Sequence, residues 1–161
     1  MSKTDKTTPA LLDLGSHFVS DFLTDINKEY EGKEKAALTL VMDEKIGAPR
    51  LTQVVDPDKM YGKYWYRSGT NASMTNQLKN IAEEVSSRIK YQKDDVWLDI
   101  ACNDGTMFRF IPDEFIKVGI DPVEDSFVEL SSQVADSVVQ DYFSYSSYQK
   151  SGYGDKKLDK D

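Results

Sequence analysis

Apolar residues along this chain change their spacing once, near residue 74, and the change divides the sequence in two. Before it they come in short runs. "ALLDLGSHFVSDFL" sets Leu11, Leu12, Leu14, Phe18, Val19, Phe22 and Leu23 around Gly15, which predicts a short strand followed by a turn or a helical turn. "TDINKEYEGKEK" is charged and reads as a solvated turn. "AALTLVM" at 36–42 and "RLTQVV" at 50–55 flank "DEKIGAP", a pattern that predicts a β-hairpin. Residues 1–10 are polar and expected to form a disordered tail, while "DPDKMYGKYWYRSGTN" is dense in aromatics and ends in a turn, which predicts a connector over 59–71.

After the change, Met74, Leu78, Ile81, Ala82, Val85 and Ile89 share one helical face. A helix is predicted over 72–90, capped by Asn71 or Ser73 and closed by "YQKDD". Strands are predicted at 96–101 ("VWLDIA"), 116–121 (within "FIKVGID") and 137–140 (within "SVVQDY"). Between them lie "TMFRFI", a short helix stopped by Pro112, and "PVEDSFVELSSQVA", a longer helical pattern. Strand, helix, strand, helix, strand is the alternation of a parallel sheet with right-handed crossovers. The predicted fold class is therefore α/β: an open parallel sheet over 72–161, preceded by a small β-containing module over 11–58.

Composition narrows the function. Of 161 residues 39% are hydrophobic and 11% aromatic, enough for a packed core. A net charge of −8 argues against a general nucleic-acid partner, which needs a positive surface to displace counterions. No apolar run reaches the ~20 residues that span a bilayer, so no membrane partner is expected. "MSKTDKTTPA" lacks the apolar stretch of a secretory signal, and a single cysteine excludes an internal disulfide, so the cytoplasm is the expected location.

Candidate chemistry centres on "VWLDIACNDGTMFRFI", residues 96–111, where the chain leaves a strand through a short polar turn. A metal site, a phosphate cradle, a nucleoside-binding turn and an ordinary solvated turn are the options. His17 and Cys102 are the whole His/Cys inventory, too poor for a typical transition-metal centre. The turn has one glycine and no lysine, so neither a Walker loop nor a dinucleotide fingerprint fits. What remains is one glycine for close backbone approach, amides at a helix start, and carboxylates at Asp99 and Asp104. Carboxylates repel a pyrophosphate and suit a ligand with hydroxyls and an amino group. Asp121 ends the next strand, placed to accept hydrogen bonds from ribose hydroxyls, and Asp141 at the third strand end is a candidate contact to an adenine amino group. S-adenosylmethionine combines a ribose, a positive centre and no phosphate.

"VWLDIACNDGT" followed by "GIDP" resembles the cofactor motifs of class I S-adenosylmethionine-dependent methyltransferases. With "LLDLG" and "VVDPDKMYGKYWYRSGTNASM" in the same order, the chain is similar to the sugar C-methyltransferase-like family from about Leu11 to its end. The resemblance implies a Rossmann-like methyltransferase domain with S-adenosylmethionine bound by Asp99, Ala101, Cys102, Asn103, Asp104, Gly105, Thr106, Asp121 and Pro122, with Asp141 and Ser68 close by. It implies a small-molecule acceptor, of which a nucleotide-linked sugar is the family's type, and an active-site tyrosine, Tyr64 or Tyr66; an aromatic staple between modules is the alternative role for either. Gly105 is expected to admit the ligand to the backbone, so that a valine there blocks the site and leaves the fold largely intact.

Two departures shape the expectation. The family's small module binds zinc through cysteine pairs, whereas here the corresponding stretches read "KTDKTTPA" and "MDEKIGAPRL". No zinc or other metal is therefore expected, and Leu38, Leu40, Val41, Leu51 and Val54 must hold the module unless it is loosely folded. The resemblance also stops at "DKKLDKD", where the family enters a fourth strand; its later strands and catalytic histidine and glutamate are absent. The chain is thus expected to be such a methyltransferase or its N-terminal portion. The alternative is a non-catalytic subunit of a split enzyme, acting through a complementary C-terminal chain or self-association. Among the other marked residues, Cys102 is expected to be a small turn residue and not a nucleophile, His17 structural, Trp65 and Trp97 packing residues, and Arg67 the partner of a surface acid.

Overall fold

The computed structural model describes residues 9–19, 34–61 and 66–156. The predicted tail, most of the charged turn, Tyr64, Trp65 and most of the final "DKKLDKD" lie outside the described residues. The chain divides into two units, Met1–Met60 and Tyr61–Asp161. The fold is mixed α/β, with one antiparallel and one parallel three-stranded sheet.

In the first unit, β1 (Ala10–Phe18) pairs antiparallel with β2 (Lys35–Asp43), which pairs antiparallel with β3 (Ala48–Leu51). The short strand expected before Gly15 is instead one nine-residue strand running through it. Gly15 absorbs the irregularity: it sits at φ 78°, the register shifts between Asp13 and Ser16, and the Asp13 carboxylate accepts from the Gly15 amide at 2.9 Å. The hairpin forms at the predicted place but is tighter than predicted. Gly47 at φ 65° closes the turn, so pairing reaches Asp43 and Ala48, and the third strand ends at Leu51 where 55 was expected. Pro49 is tolerated because β3 is an edge strand. Of the five residues expected to hold this module, Val41 is buried at 4% exposure, whereas Val54 is 82% exposed and Leu38 and Leu51 are also exposed. α1 (Pro57–Tyr61), which the aromatic connector concealed, follows.

The second unit follows the alternation closely. Asn71 caps α2 (Ala72–Arg88), its side chain accepting from the amides of Ser73 at 2.9 Å and Met74 at 3.3 Å. β4 (Val96–Ile100), β5 (Ile116–Ile120) and β6 (Ser137–Val139) pair parallel in that order, with Asp99 opposite Gly119 and Ile100 opposite Ile120. A 3-10 turn (Thr106–Phe110) leads from β4 towards β5, and α3 (Asp125–Ser131) joins β5 to β6. α4 (Tyr145–Tyr148) and a wide helical turn (Gln149–Tyr153) follow.

Strand alternation sorts the core into two layers. Trp97 and Val138 pack with Ala82 of α2, Cys102, Phe108, Ile111 and Phe115. Val96, Leu98, Ile116, Val118, Ile120 and Val139 pack on the other side with Tyr148 and Tyr153. Both faces of the parallel sheet are thereby covered, as parallel sheets require. Trp97 is a packing residue as expected, meeting Phe115 edge-on at 5.5 Å. Among the described residues no helix is long and apolar enough to cross a membrane.

Candidate functional site

Parallel strands deliver their carboxyl ends to one rim, and there the second unit has an open cleft of about 570 Å³. Ile100 and Ala101 reach it from β4, Ile120 to Val123 from β5, and Tyr142 and Phe143 from the end of β6. Met74 from the first turn of α2 lines it too, together with Tyr61, Tyr66, Ser68 and Asn103. Its walls are mainly apolar and aromatic, with a few polar groups: the Asp121 carboxylate, the Asn103 amide, and the Ser68 and tyrosine hydroxyls.

Between β4 and the 3-10 turn the chain adopts the left-handed region at alternate residues: Ala101 at φ 65°, Asn103 at φ 52° and Gly105 at φ 73°. Side chains therefore leave this turn in directions that residue order alone does not reveal. Asp104 is buried and points away from the cleft; its carboxylate accepts from the Gly69 amide at 2.8 Å and from the Thr106 hydroxyl at 2.6 Å. The Asn103 side chain accepts from the Ser68 amide at 3.0 Å and donates to the Tyr66 carbonyl at 2.9 Å. The 3-10 turn Ser68–Thr70 is thus pinned to the strand-to-helix turn. Gly69 permits the close fit, since a Cβ there would lie 2.6 Å from Thr106 Oγ1.

Asp121 is the cleft's anchor. At 5% exposure its carboxylate accepts from the Asn103 amide at 2.7 Å and from the Val123 amide at 3.1 Å, joining the ends of β4 and β5. Asp99 lies on the strand face beneath α2 and does not line the cleft. Burial, reinforced by the charge of Asp121, pushes its carboxyl up to about 6 from the ordinary 3.8. The unfolded chain then binds fewer protons than the folded one between about pH 4 and 6, so stability falls as pH rises through that window. Asp99→Asn should accordingly stabilise the second unit by about 1–2 kcal/mol at pH 7 and have little effect near pH 4. Urea unfolding at both pH values measures this; equal effects at the two would contradict it.

Of the residues singled out from sequence, Tyr66, Ser68, Ala101, Asn103, Asp121 and Pro122 come together in the cleft. Cys102, Asp104, Gly105 and Thr106 lie behind it. Burial, with help from Asp99 and Asp121, pushes the Cys102 thiol far up, so it is no nucleophile at neutral pH. Gly105 faces α3 and the loop after it: a Cβ there would lie 2.7 Å from Ser131 Cα and 2.9 Å from Val134. Asp141 is turned outward, where Lys150 at 2.7 Å holds its carboxyl below the usual range, while its neighbours Tyr142 and Phe143 face the cleft. Among the described residues Arg67 meets no acid directly; it donates to Ser126 Oγ at 3.0 Å, which donates to Glu124, and lies over the Phe127 ring. Tyr61, Met74, Ile100, Ile120, Val123, Tyr142 and Phe143 were not foreseen; apolar or aromatic side chains at strand ends were the available signal.

Among the described residues no cluster of His, Cys, Asp and Glu could hold a metal ion. No protein-family model matches this chain, and comparison with curated proteins yields no match.

Proposed function

We propose that the second unit belongs to a Rossmann-like methyltransferase domain and that its cleft binds S-adenosylmethionine. The observation that carries this reading is the Asp121-anchored cleft itself: a carboxylate at the end of the second parallel strand, set among apolar and aromatic walls. Its volume, about 570 Å³, lies within the ~300–1,000 Å³ range usual for small-molecule sites. The apolar walls suit a purine. The remaining lone pairs of Asp121 suit ribose hydroxyls, and its carboxylate supplies negative potential for an ammonium or sulfonium.

In this reading methyl transfer is chiefly a matter of alignment, which can supply much of the barrier reduction. Asp121 and the turn hold the donor, and Tyr66 presents a hydroxyl to the acceptor, for which a nucleotide-linked sugar is the proposed class. Calorimetric titration with S-adenosylhomocysteine tests it, with methylthioadenosine as the comparison lacking the amino-acid group. Saturable one-to-one binding is expected for both. Asp99 loses its proton near 6 but lies outside the cleft, so neither affinity should change much between pH 5 and 7. No binding by either compound across that range would overturn the proposal.

A further inference from the structure

We propose that Asn103 is a positioning residue whose side chain fixes the Tyr66–Ser68 wall of the cleft relative to Asp121. Three bonds meet at this one residue. Its backbone amide donates to Asp121, its side-chain oxygen accepts from the Ser68 amide, and its side-chain nitrogen donates to the Tyr66 carbonyl. Asp121, Tyr66 and Ser68 all line the cleft; Tyr66 and Ser68 come from the start of the unit and Asp121 from its middle.

The position makes two demands on residue type. At φ 52° it favours glycine, with asparagine the best tolerated side chain. The wall needs an acceptor and a donor on one short side chain. Glycine satisfies only the first demand. Aspartate accepts from Ser68 but sets a negative oxygen against the Tyr66 carbonyl, close to Asp121. Asparagine alone meets both. Among the described residues the wall has little else to hold it: Gly69 is bound to the Asp104 carboxylate, Arg67 reaches Ser126, and Thr70 bonds back to Arg67.

Asn103→Gly isolates the side chain, because glycine accepts the backbone angle and keeps the amide that donates to Asp121. The inference rests on the nucleoside reading only for its choice of probe, S-adenosylhomocysteine. In the ligand-free full chain, amide exchange at Ser68 should accelerate about tenfold or more, while Gly69, still held by Asp104, accelerates less and the thermal midpoint moves little. Affinity for S-adenosylhomocysteine should fall about tenfold, and Asn103→Asp should not restore it. Unchanged Ser68 exchange in Asn103→Gly would overturn the proposal. So would uniform acceleration across the unit with affinity unchanged, since that marks a purely structural role. If the parent protein binds no S-adenosylhomocysteine, the cofactor reading fails, and the contrast between Ser68 and Gly69 decides this proposal by itself.

Discussion

Gly105→Val should strongly destabilise the second unit and not merely obstruct its cleft. Two penalties combine. At φ 73° a side chain adds roughly 1–2 kcal/mol of backbone strain, more for a β-branched one. The new Cβ would also lie 2.7 Å from Ser131 Cα, a backbone atom with no rotamer to change. Forcing extra volume into a packed site costs about 1–3 kcal/mol more. A sum of about 2–5 kcal/mol is a large part of the total stability of a domain. The thermal midpoint should drop by more than ~8 °C, read by circular dichroism. A variant with the parental midpoint and no ligand binding would show instead that Gly105 faces the ligand, as the sequence pattern suggests.

Asp121→Ala should damage both the fold and the cleft. The carboxylate holds two backbone amides in a buried setting, and each charge-assisted bond contributes about 1.5–3 kcal/mol. Its removal leaves the Asn103 and Val123 amides without their acceptor and releases the turn from β5. A loss of about 2–4 kcal/mol in urea unfolding is expected. Nucleoside affinity should fall about ten- to a hundredfold at a temperature where the variant is still folded. Parental stability would refute the anchoring role. Parental affinity in a folded variant would remove the cleft from consideration as the nucleoside site.

The parallel sheet and α2 were legible because they rest on periodicity. Nearly continuous apolar runs over 96–100 and 116–120 mark strands covered on both faces. The apolar stripe from Met74 to Ile89 marks the period of α2, although Ala82 is its one buried residue. The direction of side chains in the strand-to-helix turn was not legible. Asn103 and Asp104 read as ligand groups because they sit at a strand's carboxyl end; left-handed angles at Ala101 and Asn103 send them to the Tyr66–Thr70 segment, and neither residue type announces such an angle as glycine does. The cleft's walls were hidden for a different reason. Ile100, Ile120, Val123 and Phe143 look like core residues, and only their position at strand ends turns them towards a cleft. In the first unit the apolar pattern did yield strands, but it overstated burial, because three short strands bury little of themselves without a covering layer.

The neighbours Cys102 and Gly119 have a consequence for how such a sequence can change. A Cβ on Gly119 would lie 2.6 Å from the Cys102 sulfur, so the two positions share one allotment of volume. Enlarging residue 119 is tolerable only if residue 102 shrinks, and neither step is neutral by itself. Divergent copies of this chain should therefore carry small–large and large–small combinations at 102 and 119, with few intermediates. The thiol serves there as a spacer of the right size under the central strand, and its chemistry is not what the position requires.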